Sequence, residues 1–85
     1  MQSTITKPMT ANETYSRRST DIARLLDVLQ MELQAHGERA AGQPANWGFA
    51  GDLGKVRHDL IEAVEFLTNG RMTRPDIERF LEEAE

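Results

Sequence analysis

Phe49, Leu53, Val56, Leu60, Val64 and Leu67 follow one another at steps of three or four residues. That spacing lays six apolar side chains along one stripe of an α-helix. A strand would need alternation, and Val56-Arg57-His58-Asp59-Leu60-Ile61 does not alternate. The stretch that carries the stripe, residues 46–68 (NWGFAGDLGKVRHDLIEAVEFLT), also holds the only tryptophan, two of the three phenylalanines and three of the six glycines. The rest of the chain reads as material to cover it.

Local signals divide the remainder. Residues 1–9 contain a proline and threonines without periodicity and read as a disordered tail. Met9, directly before TANETY, offers a second candidate start. Thr10-Ala11-Asn12-Glu13 has the form of a capping box, so a first helix is expected from Ala11. Tyr15, Ile22, Leu25, Leu26, Leu29 and Leu33 then repeat at helical spacing, and Gly37 offers the first stop. The spacing therefore predicts a helix over about 11–36, with residues 38–41 able to add a turn.

The segment GERAAGQPA is the connection, marked by Gly42 and Pro44. Asn46 suits the N-cap of a second helix over about 47–68, which Asn69-Gly70 would close. Thr73-Arg74-Pro75-Asp76 signals a short third helix over about 74–84, with Ile77, Phe80, Leu81 and Ala84 on one face. Two long helices joined by a short loop are expected to pack antiparallel. Leu29, Leu33, Leu60 and Val64 are expected in the core.

Eighty-five residues make one small domain, here 10–85, near the lower limit for a single core. Aromatic content is 6% and cysteine is absent, so neither bulk nor disulfides consolidate that core. Self-association is the usual remaining source of buried area. No apolar run reaches the roughly 18 residues of a membrane span, and the N-terminus lacks a secretory h-region. A cytoplasmic location is expected. The net charge of −4, with both signs interspersed, argues against a broad phosphate-binding surface.

No constellation for catalysis emerges. Gly54-Lys55 fails as a phosphate loop, because Phe49 stands where the first glycine is needed and Val56 where Ser or Thr would hold magnesium. His58, Asp59 and Glu62 invite a metal reading, with His58 and Glu62 at i, i+4, but no second histidine lies nearby, cysteine is absent, and such spacing is common on solvated faces. His36, near a helix C-terminus, suits the dipole. No catalytic, metal-ligating or cofactor-binding residue is assigned.

Four features point instead to contacts. Gly48, Gly51 and Gly54 recur every three residues, at about 1 kcal/mol each relative to alanine in a helix. They mark either close approach of another backbone or an irregular first turn with the regular helix beginning at Asp52. An anion site on backbone amides would need a basic cluster that is missing. Trp47 and Phe49 read as the cap of a small core or a dimer seam, with an anchor for a foreign partner as the sharper alternative. Arg17, Arg18 and Arg24, with Arg71 and Arg74, are the basic clustering, which ordinarily forms solvated faces. Arg18 is the exception: it interrupts the apolar stripe between Tyr15 and Ile22, where a carboxylate across an interface would pair with it.

The segment NWGFAGDLGKVRHDLIEAVEFL, about a quarter of the chain, resembles a pattern in short uncharacterised proteins of proteobacterial genomes and mobile elements. The resemblance carries no catalytic motif and implies an accessory or regulatory protein.

The sequence thus predicts an all-α fold: an antiparallel hairpin plus a short third helix, dimerising into a four-helix bundle. The expected function is a non-catalytic protein-interaction or regulatory module. Trp47, Phe49, Gly51, Gly54 and Arg18 are its candidate interaction residues, and a homodimer or another protein is its partner. The alternative is a nucleic-acid-directed role, as an acidic inhibitor of a DNA-binding defence protein or a weak binder through Arg17, Arg18 and Arg24.

Overall fold

The computed structural model describes residues 8–84 and forms three helices, with no strand among those residues. The tail expected over residues 1–9 lies, for residues 1–7, outside the described residues. The chain divides into two units, Met1–Gly42 and Gln43–Glu85.

Among the described residues the first unit holds one helix. Helix α1, Ala11–Ala41, starts where its capping box places it. The Glu13 amide donates to Thr10 Oγ1 at 3.0 Å and the Thr10 amide donates to Glu13 Oε1 at 2.9 Å. Two otherwise unsatisfied donors are met at once. Glu13 in the first turn and Arg39 in the last complement the helix dipole.

Its far end takes the further turn that residues 38–41 allowed, past the stop expected at Gly37. Gly37 lies inside the helix, which runs 31 residues to Ala41 and is capped at Gly42. One glycine costs about 1 kcal/mol, while Glu38, Arg39, Ala40 and Ala41 are good helix formers that propagate the ladder past it. The stop comes where Pro44 follows, since the residue before proline disfavours helix. At 1.5 Å per residue α1 is about 46 Å long, and none of its residues is buried.

In the second unit, helix α2 (Trp47–Leu67) and helix α3 (Arg74–Glu83) pack on each other. The Asn46 side chain accepts the Gly48 amide at 2.9 Å, so α2 begins at Trp47 rather than at Asp52. At its other end Asn69 (φ 57°) and Gly70 (φ 82°) are both left-handed. Asparagine tolerates that region and glycine enters it without strain, so the chain reverses within two residues. The Thr68 hydroxyl holds the turn, accepting from the Met72 amide at 3.3 Å and donating to the Glu65 carbonyl at 3.0 Å. Thr73 then caps α3 with a second capping box to Asp76, and Pro75 sits in the first turn, where a missing N–H costs nothing.

The buried residues are not those the stripe suggests. Ile61 is 3% exposed and Ile77 5%, and they are the buried apolar residues among those described. Leu60 and Val64 remain 40% and 41% exposed, Leu33 is exposed, and Leu29 is half-buried. Successive helical residues are about 100° apart, so Ile61 sits a quarter-turn beyond Leu60. The turn at Asn69-Gly70 brings α3 against that quarter rather than against the main stripe.

Candidate interaction face

The α2–α3 contact is framed by polar groups as well as by Ile61 and Ile77. The Arg74 amide donates to Glu65 Oε2 at 3.2 Å, and its guanidinium donates to His58 Nδ1, also at 3.2 Å. His58 Nε2 lies 3.3 Å from Glu62 Oε2. Arginine only donates and a carboxylate only accepts, so a neutral imidazole with its proton on Nε2 satisfies both neighbours. Glu78 completes the group, 3.7 Å from Arg74 Nε and 4.0 Å from Arg57.

This network was not picked out from the sequence. Its available signal was the i, i+4 pairing of His58 with Glu62; the approach of Arg74, sixteen residues from His58, depends on the turn between the helices. Among the described residues no group of three or more His, Asp or Glu side chains is placed to hold a metal ion.

Elsewhere on α2 the Lys55 ammonium donates to Asp59 at 2.6 Å. That hydrogen bond raises Lys55 above its ordinary value and lowers Asp59 below its own. Both groups are exposed, so the pair contributes little to stability.

The five candidate residues occupy distinct places. Trp47, the first residue of α2, is 84% exposed, above a shallow hollow formed with Pro44, Ala45, Asn46 and Ala50. Phe49 is half-buried. Two residues apart on a helix, Trp47 and Phe49 point about 200° from each other and do not form one patch. Gly51 and Gly54 lie within the regular helix, and a methyl added at either meets no atom within 4 Å among the described residues. The close backbone approach expected of them is therefore not made there. Arg18 is exposed on α1 and makes no ion pair with any described residue.

No family model, curated protein or solved structure matches this chain.

The apolar surface carries the remaining information. On α1, Ile22, Leu25, Leu26, Val28, Met31 and Leu33 are all exposed. On α2, Leu53, Leu60, Val64 and Leu67 of the organising stripe are exposed, and Val56 is half-buried. Isolated exposed leucines are ordinary, but Ile22, Leu25, Leu26 and Leu33 share one side of α1, as Leu53, Leu60, Val64 and Leu67 share one side of α2, and such rows are characteristic of association surfaces. No helix among the described residues is long and apolar enough to cross a membrane.

Proposed function

We propose that this chain is a non-catalytic interaction module of the cytoplasm that works as a homodimer. In this reading α1 and α2 close into an antiparallel hairpin, and two hairpins form a four-helix bundle. One observation carries it: α1 is 31 residues long and buries none of them, while displaying Ile22, Leu25, Leu26 and Leu33 exposed along one side. Helices of globular proteins owe most of their stability to a buried apolar face rather than to propensity. Ile61 and Ile77, the buried apolar residues among those described, are too little core for residues 8–84, so covering the stripes of α1 and α2 supplies what is missing.

The nucleic-acid-directed alternative has weaker support. Arg17, Arg18 and Arg24 are exposed, but Glu13 precedes them and Asp21 falls between them, which dilutes attraction to phosphate.

Sedimentation equilibrium across the micromolar range tests the reading. The expected species has twice the chain mass, and its helicity falls on dilution. A monomer that stays fully helical at every concentration overturns it. Retention on DNA that weakens steeply with salt would favour the alternative.

A further inference from the structure

Arg18, Leu25 and Glu32 stand at seven-residue steps on α1, so they fall on one side of the helix, two turns apart. Leu25 is exposed, and neither Arg18 nor Glu32 makes an ion pair with a described residue. Charge is also divided along the helix. Residues 11–24 carry Arg17, Arg18 and Arg24 against Glu13 and Asp21, a net +1, whereas residues 25–41 carry Asp27, Glu32 and Glu38 against Arg39, a net −2.

We infer that the partner of α1 is α1 of a second copy, antiparallel and centred on Leu25, with Arg18 of each copy paired to Glu32 of the other. This rests on the homodimer proposed above and specifies its seam. A two-fold axis at Leu25 carries residue 18 onto the level of residue 32, because both lie seven residues from the centre. The same operation sets the basic half of each helix against the acidic half of the other, which complementary association favours. A parallel pair would place Arg18 on Arg18 and Glu32 on Glu32, and like charges repel.

The extent is adequate. A helix about 46 Å long and about 11 Å wide offers roughly 500 Å² per copy, or about 1,000 Å² in all. That meets the lower bound of roughly 1,000 Å² for a specific interface. The pairing also explains why a cation interrupts the apolar stripe at Arg18: it meets a carboxylate and sets both direction and register.

The chain has no cysteine, so one introduced thiol reports on one position. In the full chain, Leu25→Cys is expected to give a covalent dimer on mild oxidation. Tyr15→Cys is expected to give none with itself, since two copies of residue 15 would lie about 30 Å apart. Leu25 and Tyr15 are both exposed within one chain, so neither change disturbs the chain's own packing, and sedimentation of Leu25→Cys under reducing conditions checks that the dimer survives the loss of the leucine at its centre. Arg18→Glu and Glu32→Arg should each weaken the dimer about fivefold to tenfold, each change acting twice in a symmetric pair. Combined, they should restore it to within about threefold of wild type.

Cross-linking of both cysteine variants would show a parallel seam and overturn the inference. A dimer by sedimentation with no cross-link at Leu25→Cys, or charge reversals whose losses merely add, would place the seam elsewhere. A chain monomeric at every concentration would remove the homodimer itself.

Discussion

Arg74 donates from its guanidinium to Nδ1 of His58 at 3.2 Å, tying the first turn of α3 to the middle of α2 across sixteen residues of sequence. The same residue donates its backbone amide to Glu65, so one position holds α3 by side chain and main chain together. Arg74→Ala should keep the amide contact and lose the links to His58 and Glu78. The expected cost is about 0.5–1 kcal/mol, as for other partly exposed pairs, with faster amide exchange in α3 and none in α1. Unchanged exchange in α3 would show that the guanidinium contributes nothing to docking.

Ile61 and Leu60 are neighbours in sequence with different surroundings. Ile61→Ala empties a buried position and should cost about 2–5 kcal/mol, independent of protein concentration. Leu60→Ala removes an exposed side chain of the α2 stripe that the proposed four-helix bundle covers, so its effect should grow as the dimer forms. Melts of both variants at two concentrations separate the cases. A concentration-independent loss at Leu60 would mean that it is packed within one chain.

The glycines of α2 should respond in opposite ways. At Gly51 and Gly54 an added methyl has open space, so alanine should raise stability by up to about 1 kcal/mol. At Gly48 a Cβ would lie 3.0 Å from Asn46 Oδ1, the oxygen that accepts the Gly48 amide. Gly48→Ala must push the cap aside, so the methyl and the cap compete and its melting temperature should fall below those of the other two variants. A lower melting temperature for Gly51→Ala or Gly54→Ala in dilute protein would restore close packing as the reason for those glycines.

Acid should loosen the starts of α1 and α3 first. Backbone hydrogen bonds from Thr10 and Thr73 hold the carboxyls of Glu13 and Asp76 below their ordinary values. A lowered folded value means a contribution present above the unfolded value and lost as pH falls through the folded one. Helicity at residues 10–14 and 73–77 should therefore decline below about pH 4, as read by amide chemical shifts. Thr10→Ala and Thr73→Ala should weaken the same turns at neutral pH by about 1 kcal/mol.

Much of the architecture was legible because helix limits are set by chemistry between near neighbours. Thr10 with Glu13, Asn46 with Gly48, Thr73 with Asp76, and the left-handed pair Asn69-Gly70 all act within three residues, so the letters alone specify them. Gly37 was misleading because helix termination is cooperative: one poor residue is outvoted by the four good ones after it, and the stop waits for Gly42 and Pro44. Among the candidate residues, the exposure of Arg18 agreed with its polarity. The opposed directions of Trp47 and Phe49 follow from helical geometry once α2 is known to begin at Trp47.

What the sequence by itself determined is three amphipathic helices, their caps and the turn that reverses the chain after α2. Only the tertiary structure decided which side of α2 is buried. Leu60 and Ile61 are equally apolar, and a periodic pattern ranks the wider stripe first. The reversal at Asn69-Gly70 nevertheless delivers α3 to the Ile61 side, where Arg74 finds His58 and Glu65. Burial goes to the face a neighbouring element can reach, and that reach is set by the dihedral angles of two residues in the turn rather than by the hydrophobicity of the face.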